Sequence, residues 1–259
     1  MKFLKRLLDF YIQSSIHVGF AVFCLVKITE ITAKLHPIPF FSACVFFATI
    51  LGYNFLKYLE VFRNGNFHST KYYSILLVSI FSCIGLFFTF INLKNTIQIY
   101  VLFSGLLVLL YPLLRKFGLV KLFFVSVVVT FITVCIPYAN TKFFLQDYEI
   151  NLFQRFLIVS SLLIPFEIID SPFDPISLQT IPQKFGINKS KLFGMLLVIP
   201  FIILEFSKSN SSLVSILIGS VTVILIHFSS THRNKYYTSF WVESVPIFWW
   251  VLVLVIDIL

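Results

Sequence analysis

Three carboxylates, Glu167, Asp170 and Asp174, stand within eight residues where an apolar run gives way to the stretch EIIDSPFDPISLQTIPQKFG. Their spacing, i, i+3 and i+7, aligns them on one face if the helix continues. Pro172 and Pro175 act against a regular continuation, because each lacks an N–H and constrains the residue before it. Two readings stay open. In the structural one, Asp170 begins a turn and Asp174 caps a new helix with Pro175 at its first position. That accounts poorly for Glu167, which still lies within the apolar segment. In the chemical one, the oxygens converge on a divalent cation. Mg²⁺ prefers hard oxygen ligands and keeps several waters, so one or two carboxylates plus a substrate phosphate suffice. A metal-bridged diphosphate beside Lys184, Lys189 or Lys191 would then be a sensible leaving group. Ionisable groups near a membrane interior cost free energy unless they pair, bind an ion or face water. The same question therefore attaches to Asn54 with Lys57 and Glu60, and to Glu243.

The elements that must position these groups are apolar helices. The 259 residues are 58% hydrophobic and 12% charged, with mean hydropathy +0.94, far from the usage of soluble domains. Apolar runs recur near 11–29, 38–57, 72–92, 97–114, 119–138, 152–169, 191–206, 212–229 and 239–257. About 20 apolar residues span a hydrocarbon core, so an all-α integral membrane protein with nine transmembrane helices is expected, forming a single multi-pass domain over 1–259. The runs are apolar all round, whereas the strands of a β-barrel would alternate. The second and sixth runs are followed by the two most polar connections on the basic side, a weak internal symmetry. Residues 1–20 read as an amphipathic lead-in to the first span, since Asp9 and Gln13 interrupt a signal-like stretch.

Fourteen of the twenty basic residues fall on alternate connections, around Lys2, Lys57, Arg115, Lys184 and Arg233. The positive-inside rule makes that face and the N-terminus cytoplasmic and puts Leu259 outside. The net charge of +9 is thus largely topological, which fits anionic membrane lipid and removes the case for nucleic acid. The expected location is the cytoplasmic membrane of a bacterium. Cys24, Cys44, Cys83 and Cys135 lie inside apolar runs without metal-ligand spacing and read as small buried residues. His17 and His227 read as packing or hydrogen-bonding side chains, and Trp241, Trp249 and Trp250 as interfacial anchors. Glu243 reads as an interhelical pairing partner ahead of a substrate group. No Walker A loop, G-x-G-x-x-G, H-E-x-x-H or G-x-S-x-G is present.

The acids followed by LQTIPQKFG resemble the second aspartate motif of the UbiA-type membrane prenyltransferase superfamily, roughly D-x-x-D-x-x-x-D and then a threonine-led stretch ending in glycine. Glu167, Asp170 and Asp174 match its three acids, and Thr180 and Gly186 follow, with the interval to Thr180 one residue short. SSIHVGFAVFCLV in the first run, and a fourth run ending YPLLRKFGLVKLFF, are similar to the family in the same order. The resemblance implies a nine-helix UbiA-like bundle with its N-terminus inside. It also implies transfer of an isoprenoid group from its diphosphate to a lipophilic acceptor.

In that scheme Asp170 and Asp174 are catalytic, and together with Glu167 they hold Mg²⁺. Asn54, Lys57, Arg115, Lys116 and Lys184 bind substrate, and aromatic faces shield a developing allylic cation. The family's first motif, N-D-x-x-D-x-x-x-D, is replaced by NFLKYLEVF. Asn54 is kept, but Phe55, Tyr58 and Phe62 stand at the aspartate positions. This departure motivates an alternative, a fold-retaining relative that binds or moves a lipid-linked phosphate or serves as a membrane partner protein.

Overall fold

A computed structural model describes residues 2–63, 70–114, 117–139, 147–209 and 212–258. Its described elements are all helical: α1 (Lys2–Gln13), α2 (Ile16–Thr32), α3 (Phe41–Arg63), α4 (Thr70–Ile91), α5 (Asn95–Leu114) and α6 (Gly118–Thr130). A π turn at Phe131–Cys135 joins α6 to α7 (Ile136–Ala139), and α8 (Tyr148–Asp170) follows. Next come a 3₁₀ turn at Ile176–Leu178, α9 (Ile181–Phe185), α10 (Ile187–Glu205) and α11 (Leu213–His227). A second π turn, Tyr237–Val242, leads into α12 (Val245–Ile258).

Each of the nine apolar runs falls on helix, and the chain is a multi-pass membrane protein. Among the described residues seven helices are long and apolar enough to cross a membrane, and eight if α1 and α2 count as one span bent by 62°. The remaining apolar helix, Leu213–His227, has 15 residues. At 1.5 Å per residue it is about 22 Å long, short of a core of about 30 Å. Length therefore supports seven or eight crossings where the hydropathy pattern gave nine. The bend has a local cause. Ser15 adopts a left-handed conformation, φ 62°, which residues with a β-carbon seldom take, and the polar Gln13-Ser14-Ser15 step interrupts the apolar pattern. Beyond it α1 leaves Leu4, Leu7, Leu8 and Phe10 exposed.

Helices pack largely on their sequence neighbours: α2 on α3, α3 on α4, α5 on α6, α6 on α8, α8 on α10 and α10 on α11, while α12 returns against α2. The centre is α8. In its apolar window 67% of residues are buried, against 11% for Asn95–Leu114 and 17% for Tyr72–Ile91. Small residues allow this depth, because close helix approach in a membrane depends on them. Ser161 of α8 donates to the Gly194 carbonyl of α10 at 2.9 Å. A β-carbon on Gly194 would meet Ile164 at 3.1 Å and Ile226 at 3.2 Å. The largest apolar cluster then gathers Ile158 and Val159 of α8 with Leu25, Val198, Phe201, Ile218 and Trp249.

Two expectations change here. Trp249 is buried, with its ring edge-on to Phe201 at 5.7 Å, and so is no interfacial anchor. Trp241 is exposed, and Trp250 packs edge-on to Phe20 and Phe23. Cys24 and Cys44 are buried, whereas Cys83 is exposed because it lies on the outward face of α4. His17 hydrogen-bonds and stacks as expected: its Nε2 lies 3.1 Å from the Phe240 carbonyl, and its ring stacks on Phe240.

Candidate functional site

The three acids sit where α8 ends and the chain turns back. Glu167 occupies the last turn of α8 and is 5% exposed. Asp170 is the final helical residue, and its carbonyl accepts from the amides of Phe173 at 2.8 Å and Asp174 at 3.0 Å. That closes the turn expected of it. Asp174 does not cap a new helix: the following 3₁₀ turn has Pro175 as its cap residue, and α9 begins after Thr180. Instead the carboxylate of Asp174 turns back towards α6, where Lys121 lies 3.4 Å from its Oδ2 and 2.8 Å from Glu167 Oε1. One ammonium therefore links two acids that the broken helix alone would not align.

Two further residues hold this turn. Gln183 Oε1 accepts from the Thr180 amide at 3.1 Å, while its Nε2 donates to the Asp174 carbonyl at 3.0 Å and to that of Ser171 at 3.4 Å. Gly118, at the start of α6, lies directly under the backbone of Leu178 and Gln179, with no room for a side chain.

Two of the three carboxylates, Glu167 and Asp174, share one ammonium, so that group carries a net charge of −1 when both are ionised. Glu167 Oε2 is buried without a hydrogen-bond partner, and Asp170 and Asp174 both act electrostatically on the Glu167 carboxylate. An all-oxygen donor set with excess negative charge fits a hard cation such as Mg²⁺. The present arrangement is not a ready-made cage. No group of three or more His, Cys, Asp or Glu among the described residues is arranged to hold a metal. Lys121 is held by Glu167 through the shorter contact.

The other described residues singled out in the sequence make contacts of their own. Asn54 is 1% exposed. Its Oδ1 accepts from Ser15 Oγ at 2.8 Å, and its Nδ2 donates to the Ser14 carbonyl and to Ser79 Oγ, each at 3.1 Å. It ties the α1–α2 bend to α3 and α4. Tyr58 is buried and donates to the Gln13 carbonyl at 2.8 Å, while Phe55 is exposed. Of the positions where the resemblance would place aspartates, 58 therefore carries a packing group and 55 an exposed one, while the side chain of Phe62 lies outside the described residues. Lys57 reaches the same Gln13 carbonyl at 3.5 Å and lies within electrostatic range of Glu243. Lys184 is exposed, with its ammonium 5.6 Å from the Phe185 ring centroid. Arg115 and Lys116 lie outside the described residues.

The sequence reading missed Lys121, Gln183 and Gly118. A signal existed for the first, a lysine three residues into an apolar helix. It was absorbed into the count of topological charges.

Asn54→Ala removes one acceptor and two donors from a buried join and leaves Ser15 and the Ser14 carbonyl short of partners. A cost of about 2–3 kcal/mol is expected, read as a lowered Tm in detergent micelles with the carboxylate cluster intact.

No family model matches the chain, and no curated protein does. Among solved structures it is similar to the apo structure of a UbiA homolog from Aeropyrum pernix K1, with a TM-score of 0.68 over 94% of this chain and 98% of that one, at 14% identity. Its all-helical order, its central α8 and this structural match agree: the chain has the UbiA-type fold.

Proposed function

We propose that this chain is an intramembrane prenyltransferase of UbiA type, moving an isoprenoid group from its diphosphate to a lipophilic acceptor in the cytoplasmic membrane of a bacterium. One observation carries the reading: on a UbiA-type fold, three carboxylates stand at the end of the central helix and in the turn after it, two of them on a single lysine. Such a concentration of carboxylate repels a diphosphate unless a cation accompanies it. Asp170 and Asp174 would hold Mg²⁺, which when bound neutralises the charge gathering on the departing diphosphate. Lys121, kept on Glu167, holds the acid-bearing turn to α6 and fixes where the diphosphate can lie. In the transfer the allylic C–O bond breaks with its electron pair leaving on the diphosphate, the acceptor bonds to the allylic carbon, and the acceptor's proton departs.

The second reading, a relative that binds or moves a lipid-linked phosphate without turnover, is favoured by Asn54. Its hydrogen bonds are committed to Ser14, Ser15 and Ser79, and a buried packing side chain stands at Tyr58. Incubating the protein with labelled polyprenyl diphosphates and a membrane lipid extract, with Mg²⁺ and with EDTA, separates the two. Mg²⁺-dependent transfer that falls tenfold or more in Asp170→Asn and in Asp174→Asn supports prenyl transfer, an order of magnitude being a modest share of what charge stabilisation supplies. Binding without product supports the second reading. Transfer unchanged in both variants rejects the assigned residues.

A further inference from the structure

A second buried polar cluster lies towards the opposite end of α8. Arg155 precedes Glu167 by twelve residues, so the two are about 18 Å apart along the helix. Arg155 is 4% exposed, deep in a span where an ionised side chain requires a partner. Its Nη2 donates to Thr29 Oγ1 at 3.0 Å, and its guanidinium lies over Trp249 at 5.1 Å. Its Nη1 is buried with no hydrogen-bond partner, and Arg155 forms no ion pair among the described residues.

The nearby acid cannot balance it. Glu205 is committed: its Oε2 accepts from Gln154 at 3.0 Å, Ser215 at 2.8 Å and Lys208 at 3.0 Å, while its Oε1 accepts from the Ser212 amide at 2.9 Å. Lys208 thus uses up the Glu205 charge, and the positive charge of Arg155 remains. Beside it opens a small cavity of about 30 Å³, lined by Arg155, Gln154, Glu205, Lys208, Ser215 and Trp249 among others. Lys208, outside the spans, has its ammonium held below the usual lysine range by burial, against the attraction of Glu205 and of Asp147, and Arg155 adds repulsion.

We propose that this cavity holds a small monovalent anion, a halide such as chloride, on the Arg155 guanidinium. Size excludes larger anions. The cavity has room for about two water-sized spheres, whereas sites for organic ligands run to several hundred Å³, so a diphosphate or a lipid headgroup does not enter. Charge favours the anion over water. Water would satisfy the hydrogen bond of Nη1 but leave a buried cation without a counter-ion, beside a second ammonium. Arg155 lines the cavity and its Nη1 is the donor left for the ion, since the Ser215 hydroxyl is already given to Glu205. The site stands independently of prenyl transfer.

The test uses the full chain in detergent micelles. Equilibrium dialysis with radiolabelled chloride is expected to show saturable binding of one ion per chain. By mass action, Tm should then rise with chloride relative to gluconate at equal ionic strength. Arg155→Met is expected to abolish both effects, and Asp170→Asn to preserve them. Should Arg155→Met fail to fold, Arg155→Lys, which keeps the charge but loses the planar fork, is expected to weaken binding by about fivefold or more. Absence of saturable chloride binding in the wild type, with the cavity then holding water only, overturns the proposal. So does binding that is unchanged in Arg155→Met or Arg155→Lys.

Discussion

Lys121→Met is expected to lower the unfolding free energy by about 3–5 kcal/mol, the cost of removing one partner from a buried ion pair. Glu167 then keeps a buried carboxylate with neither its ammonium nor any partner for Oε2. Asp174 loses the contact that draws the turn back to α6. The substitution also takes the group of Glu167, Asp174 and Lys121 from a net charge of −1 to −2, so affinity for a divalent cation should rise while the fold weakens. Thermal unfolding and calorimetric Mg²⁺ titration of the same protein read the two effects, which move in opposite directions. A lysine with a purely structural role would change only the first. Adding Glu167→Gln to Lys121→Met should recover most of the lost stability, since the orphaned charge is gone. A double variant no more stable than Lys121→Met would show that the loss came from packing rather than charge.

Gly118→Ala is the second large effect. A β-carbon there would fall 2.6 Å from the Gln179 carbonyl oxygen and 2.7 Å from its carbonyl carbon, and closer still to the Leu178 oxygen. The obstacle is backbone on both sides, so no rotamer change relieves it. Overpacking of this kind costs up to about 3 kcal/mol. The displaced segment is the one that carries Asp174 back to Lys121 and leads into Thr180 and Gln183, so the damage reaches the carboxylate cluster as well as the stability. Mg²⁺-dependent binding of polyprenyl diphosphate should fall in Gly118→Ala. Gly105→Ala, where nothing lies within 4 Å of the added carbon, should bind as the wild type does. Equal binding by the two variants would show that the contact between the start of α6 and this loop does not position the site.

These two positions show why only half of the carboxylate cluster could be read from the sequence. Glu167, Asp170 and Asp174 announce themselves because an acid beside an apolar run is costly, and a one-dimensional pattern is enough to notice it. Lys121 is 53 residues from Asp174, and its pairing exists only because α6 packs on α8. Asn54 shows the same limit. The resemblance makes it a substrate residue, and only the fold reveals its hydrogen bonds to Ser14, Ser15 and Ser79 at the α1–α2 bend. Arg155 was passed over as one cation among twenty. Its place is decided by Thr29, Trp249 and the saturation of Glu205, which come from three other helices and from the connection beyond α10.

The sequence by itself determined that this is a helical membrane protein, where its apolar helices lie, and that the end of α8 carries a concentration of acid. Those properties follow from composition and run length, which each segment expresses without reference to the others. Tertiary structure alone decided how many helices are long and straight enough to cross, which acids share a lysine, and which cation is left without a counter-charge. Ion pairing and burial depend on distances of a few ångströms between groups far apart in the chain, and only the packing of α2, α6, α10 and α12 around α8 sets those distances.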